Sequence, residues 1–241
     1  MKTLNATLLA LLLAGGSASA GAAVEGNCIA IIGTGSVGGA LGPRLAGLGE
    51  RIVYGSRAPD TERVQALVTR TGTQASALDQ PAAARACNTL LLAVPWTAVE
   101  SLMPALGNLD GKLIIDVTNP LGVRDGVEVA IPVQGSGAEV VQALAPGARV
   151  VKAFNTIYYT VMAVPATAGG PVSVLISGND TVAKARVAAL ATGLGFEPVD
   201  VGALRTARYT EAMALLLVSR LVSGQRPFDF QLHPWPPPKA P

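Results

Sequence analysis

Apolar residues recur along this chain in two rhythms. Short runs that are apolar at nearly every position predict strands: CIAIIG from Cys28, RIVYGS from Arg51, NTLLLAVP from Asn88, KLIIDVTN from Lys112, RVVKAFNT from Arg149, PVSVLISG from Pro171 and FEPVDVG from Phe196. Between them, segments with apolar residues at helical spacing and Gly or Pro near their ends predict helices: VGGALGPRLAGLGE, TERVQALVTR, LDQPAAARA, TAVESLMPALG, GAEVVQALAPG and DTVAKARVAALATGLG. Strands without polar alternation are covered on both faces. Their strict alternation with helices predicts an α/β fold, a doubly wound parallel sheet. A last helix, RTARYTEAMALLLVSRLVSG, closes the pattern; its apolar stretch from Met213 to Val218 suits either packing within the chain or a contact that makes a homodimer.

The two ends fall outside this rhythm. MKTLNATLLALLLAGGSASA has an early Lys2, an apolar stretch and a small-residue finish at Ala18-Ser19-Ala20, the layout of a signal peptide over 1–20. It is too short to span a bilayer. The expected address is periplasmic or secreted, a cytosolic leader being the alternative. Residues 27–224 then form the expected domain, and 225–241 a proline-rich, mobile tail that holds the sole histidine, His233, in a place unsuited to catalysis.

Composition narrows the classes of function. With 241 residues, 50% of them hydrophobic, the chain has ample material for a core. Its formal net charge is +2; loss of residues 1–20 removes Lys2 and no acid, leaving 17 cations against 16 anions, or +1. That balance, with no basic block, argues against a nucleic-acid partner. Two cysteines, Cys28 and Cys87, exclude a thiolate metal cluster. Cys28 stands at the start of one predicted strand and Cys87 just before another, so they can form a disulfide in an oxidising compartment or remain two small buried thiols.

Candidate chemistry begins at GTGSVGG. Gly33, Gly35 and Gly38 make G-x-G-x-x-G where a predicted strand hands over to a helix. In that setting Gly33 takes the tight turn, Gly35 lets the backbone approach a pyrophosphate and Gly38 permits close packing of helix on sheet. The free N–H groups near Ser36 and Val37 face the anion at the positive end of the helix. At the end of the second strand, where a carboxylate would accept from the ribose hydroxyl of NAD, stand Gly55-Ser56-Arg57. A hydroxyl and a permanently charged guanidinium favour a 2′-phosphate, so the expected cofactor is NADP(H). Arg63, in the following helix, is a second cation or a solvated surface residue.

Together IIGTGSVGGALGPRLAGLG, VYGSRAPD, LLAVPW, VKAFNTI and GFEPVDVG resemble the NADP-dependent 8-hydroxy-5-deazaflavin coenzyme reductases, and are similar to the nucleotide domain of the six-transmembrane ferric reductases. The likeness runs from about Cys28 to Gly224. It implies a Rossmann-type NADP-binding fold, with Thr34, Gly35, Ser36 and Val37 on the pyrophosphate, Ser56 and Arg57 on the 2′-phosphate, and Val94 and Pro95 beside the cofactor. It also implies hydride transfer to a deazaflavin or flavin-like acceptor.

The remaining residues at the predicted carboxyl ends of the strands include Trp96, Asn119, Asn155 and Thr156, candidates for framing the nicotinamide and its partner ring. None is a good general acid or base, and no catalytic triad or metal set is expected. Hydride exchange between two planar rings needs positioning more than proton transfer. A ketone or imine reductase would need a donor such as Lys152, Tyr158 or Tyr159. Trp96 as a core aromatic and Asn119 as a turn former before Pro120 stand as alternatives. An exported protein would meet little NADPH, so a non-catalytic module that senses nucleotide or delivers it to a partner reductase is the second reading.

Overall fold

Side-chain alternation on the strands decides how the layers are filled. In the computed structural model, which describes residues 27–124, 127–130 and 135–232, β1 (Cys28–Ile32) sends Ile29 and Ile31 to one face of a sheet and Ala30 and Ile32 to the other, all fully buried. The first face packs under α1 (Ser36–Gly47), α2 (Glu62–Thr71) and, further along the chain, α7 (Thr181–Gly193); the second packs under α3 (Gln80–Ala86), α4 (Val99–Ala105) and α5 (Gly137–Leu144). Each fully buried Ile or Leu contributes about 1.5–3 kcal/mol, so two full faces supply most of the drive to fold.

The eight-stranded sheet completes with β2 (Arg51–Gly55), β3 (Ala75–Leu78), β4 (Thr89–Leu92), β5 (Leu113–Asp116), β8 (Arg149–Lys152), β9 (Ser173–Gly178) and β10 (Glu197–Gly202), in the order β10-β9-β8-β5-β4-β1-β2-β3. A separate antiparallel pair, β6 (Leu121–Arg124) and β7 (Val127–Ala130), follows β5. A short α6 (Tyr159–Ala163) lies against α1, and α8 (Ala207–Val222) is the last helix among the described residues and packs against α5. Every strand expected from the sequence is present. The sheet is mostly parallel, with one correction: β9 runs antiparallel to β8, Val151 pairing with Gly178, and β10 follows β9. Apolar runs buried on both faces look alike in either direction, which is why the pattern did not register the reversal.

The structure decides between the two readings of the cysteines. Cys28 and Cys87 are joined in a disulfide with their Cα atoms 5.3 Å apart. They meet because β1 and β4 are neighbours, with Ile29 opposite Thr89. The leader, His233 and the prolines after it lie outside the described residues. The part of the tail that is described runs back to the sheet: Ser173 N–H donates to the Phe230 carbonyl (2.8 Å), and Leu232 N–H to Ser173 Oγ (2.8 Å). Among the described residues no helix is long and apolar enough to cross a membrane.

Candidate functional site

The loop between β1 and α1 is fixed by its glycines. Gly33 has φ +116°, its N–H donates to the Gly55 carbonyl (3.0 Å), and a side chain there would run into the Ala93 carbonyl. At Gly38 a side chain would strike the Gly33 carbonyl, so the helix can lie this close to the turn only without one. Gly35 differs. A Cβ at Gly35 would meet nothing within 4 Å, because the backbone there opens on free space. Gly35 is also the N-cap of α1, with no side-chain cap and no acid in the first turn. The first N–H groups of this helix therefore have no protein anion before them.

Ser56 and Arg57, from the end of β2, and Val94 and Pro95, just past β4, share one cleft of about 900 Å³ with Gly33, Thr34 and Gly35. No Asp or Glu lines it. Ser56 is buried, and its Oγ accepts from the Ala58 N–H (3.2 Å); Arg57 is exposed and takes part in no ion pair among the described residues. A cation, a hydroxyl, a bare helix start and a glycine facing open space suit a dinucleotide with an extra phosphate. Arg63 is turned to the loop itself, donating to the Thr34 carbonyl (2.7 Å) and Thr34 Oγ1 (3.2 Å).

A smaller cleft of about 380 Å³ continues from the loop past Pro95 and Trp96 to Thr118 and Asn119. Trp96 is half-buried, packs on the core and lines this cleft, so its core role and its site role coexist. Asn119 also borders an apolar groove of about 400 Å³ with Asn155, Tyr158, Tyr159, Met162 and Leu217. Two hydrogen bonds from side-chain amides lock the asparagines together: Asn119 Nδ2 donates to the Asn155 carbonyl and Asn155 Nδ2 to Asn119 Oδ1, both at 2.9 Å. Just before them Phe154 holds φ +61°, the one left-handed non-glycine backbone among the described residues. Such a conformation costs energy and persists only where its surroundings enforce it; here the ring is buried edge-on against Phe196, centroids 6.0 Å apart. Thr156 is buried and borders none of these clefts.

Lys152 has a different part from the one sequence allowed it. It is wholly buried, and its ammonium meets Asp116 Oδ2 (2.8 Å), Glu211 Oε1 (2.9 Å) and the Thr118 carbonyl (2.7 Å), which uses all three donors. Burial alone would lower its pKa, but the Asp116 and Glu211 carboxylates outweigh burial and hold it above the usual lysine value. A saturated, tightly held ammonium is no proton donor. It is a clamp: through Thr118 it fixes the segment that carries Asn119, while Asp116 Oδ1 accepts from the Thr118 N–H (2.9 Å) and hydroxyl (2.7 Å). Sequence reasoning missed Asp116 and Glu211, which read as ordinary charges. An acid closing an apolar strand was the available signal for Asp116. Tyr158 and Tyr159 do line the groove, their rings 4.6 Å apart, and the Tyr158 hydroxyl is pushed up by its neighbour Tyr159.

Comparison with known proteins gives the class. The family profile described as NADP oxidoreductase, coenzyme F420-dependent, matches residues 28–120. The F420-dependent NADP reductase of Methanocaldococcus jannaschii is 30% identical over 205 residues, a match that takes in 79% of this chain and 90% of that one. A crystal structure assigned to an F420-dependent NADP reductase of Arthrobacter sp. FB24 superposes with a TM-score of 0.78 at 30% identity, covering 86% of this chain and 99% of that one. The chain belongs to the F420-dependent NADP reductase family. It is also 34% identical over 192 residues to the metalloreductase STEAP3 of Rattus norvegicus, of whose length it spans 37%.

Proposed function

We propose that the chain moves a hydride between NADPH and a planar deazaflavin or flavin-like acceptor. The observation that carries this reading is the junction at Asn119, which borders both the cleft running from the phosphate loop and the apolar groove beyond it. Two flat rings, one in each, would lie side by side there. NADPH supplies the hydride when bound.

The chain's own residues hold and orient. Backbone N–H groups of Thr34, Gly35, Ser36 and Val37 bind the pyrophosphate, Gly33 and Gly38 keep the turn tight, and Ser56 with Arg57 takes the 2′-phosphate. Val94 and Pro95 pack on the cofactor. Trp96, Asn119 and Asn155 frame the rings, and the apolar wall from Met162 to Leu217 excludes water. Steady-state oxidation of NADPH with flavin and deazaflavin acceptors tests this reading; cofactor binding without acceptor-dependent turnover would support the non-catalytic module instead.

One observation favours a reductase of carbonyl or imine substrates: the Tyr158 hydroxyl belongs to a residue of the groove. Tyr158→Phe separates the two, since it should leave ring-to-ring hydride transfer near the parental rate and lower carbonyl reduction about 100-fold or more. Export to an oxidising compartment is supported by the Cys28–Cys87 disulfide, and the intact mass of the exported protein would show whether it begins after Ala20. Exposed Tyr209, Leu216 and Val222 on α8 support a homodimer through that helix; Leu216→Lys should then shift the solution mass to that of one chain.

A further inference from the structure

Four buried side-chain atoms have no hydrogen-bond partner among the described residues: Glu50 Oε2, Arg149 Nε, Ser177 Oγ and Asn155 Oδ1. A polar group taken out of water and left unpaired costs free energy, so each such atom calls for a reason. Of the four residues, Asn155 alone lines one of the clefts described above, the apolar groove of about 400 Å³ beyond Asn119. Its side chain is only 5% exposed.

The run of amides decides which atom is left over. Asn119 Nδ2 donates to the Asn155 main-chain carbonyl, so the other end of the Asn119 amide is its oxygen; that oxygen accepts from Asn155 Nδ2, so the free end of the Asn155 amide is oxygen in turn. Turning either amide over would set oxygen against oxygen. The backbone beneath is equally fixed, because Phe154 is held at φ +61° by its buried ring. The hydroxyls of Tyr158 and Tyr159 do not bond to this oxygen, and no charged side chain lines the groove. An apolar slot walled by Val117, Ile157, Met162 and Leu217 therefore has one fixed acceptor whose donor the protein does not provide.

We propose that Asn155 Oδ1 receives an N–H on the edge of the ring compound in the groove, and that this contact selects among flat hydride acceptors. The proposal rests on the acceptor reading above and narrows it to rings with a lactam or imide N–H, such as the pyrimidinedione edge of a flavin. A quinone, edged with carbonyls, would face oxygen with oxygen, and an N-alkylated ring would press a methyl group there. A site built to bond an N–H rejects the analogue without one, because its own polar group then stays unpaired.

The test compares lumiflavin with 3-methyllumiflavin, two neutral flavins that differ by that one N–H, on the full chain with NADP⁺ saturating. Binding is read from quenching of flavin fluorescence, and turnover from NADPH oxidation. In the parent, lumiflavin should have a Kd about tenfold or more below that of its methyl analogue, with a similar ratio in kcat/KM. Asn155→Ala removes the acceptor and leaves room for the methyl group, so the two flavins should then bind alike; Asn155→Leu takes its place if the alanine variant fails to fold. A merely structural role for Asn155 would weaken both flavins and leave their ratio as in the parent. Equal Kd values in the parent, a preference that survives in the variant, or no binding of either flavin overturns the proposal. Should lumiflavin bind and not be reduced, the acceptor reading falls alone and the Kd ratio still decides the contact at Asn155.

Discussion

Two helices begin on the carboxyl side of this sheet and treat their first turns in opposite ways. At α5 the protein brings its own anion: Ser136 Oγ accepts from the Glu139 N–H (3.2 Å), and the Glu211 carboxylate accepts from Gly137 (2.8 Å) and Ala138 (3.1 Å). At α1 no side chain caps the helix, no acid stands in the first turn, and a glycine faces open space. The same backbone charge at a helix start is consumed as structure in one place and kept for a ligand in the other. The difference lies in side chains, since the peptide groups are equivalent.

The strongest way to break the comparison is to remove the cation that allows α5 its anion. Lys152→Met leaves Asp116 and Glu211 buried and unpaired, and should cost about 3–5 kcal/mol in urea unfolding, with the loss centred on α5 and α8 in hydrogen exchange. A loss below about 1 kcal/mol would mean that the buried pairs contribute little beyond their volume. Next in size is the charge opposite α1: Arg57→Asp turns a contact into a repulsion and should weaken NADPH about 100-fold while NADH changes little. Equal weakening of both would remove the 2′-phosphate from this position.

Ser36→Asp makes α1 resemble α5. An internal carboxylate in the first turn should add about 0.3–1 kcal/mol to stability and cost about tenfold in NADPH affinity, measured by melting and by titration on one sample. A gain in stability without a loss of affinity would break the analogy. The smallest effect concerns pH. The raised pKa of Lys152 means that its contribution is complete below about 10.4, the value in an unfolded chain, and is lost only as pH rises through the higher folded value. The difference between the parent and Lys152→Met should therefore be the same at pH 7 and pH 9.

The two helix starts were also unequally legible in the sequence. Everything at α1 is local: three glycines, a strand before and a helix after, then Ser56 and Arg57 one strand later, so spacing alone carried the pocket. The α5 arrangement joins Asp116, Lys152 and Glu211, separated by 36 and 59 residues, and no periodicity records that they meet. Elements were missed for similar reasons. The strand ASAL, at the sheet edge, is short and lacks β-branched residues. The five-residue α6 has no side-chain cap. The β6–β7 pair flanks Asp125-Gly126, a hairpin dipeptide that could have been read. Phe154 shows the limit most plainly, because only tertiary packing explains a phenylalanine in that backbone conformation.

The cysteine clasp lies where β1 and β4 begin, while the clefts open where the same strands end. Five residues of extended chain separate the two margins by about 16 Å. The covalent tie between β1 and β4 therefore stands at the margin of the sheet away from the cleft, with the buried length of both strands between the two.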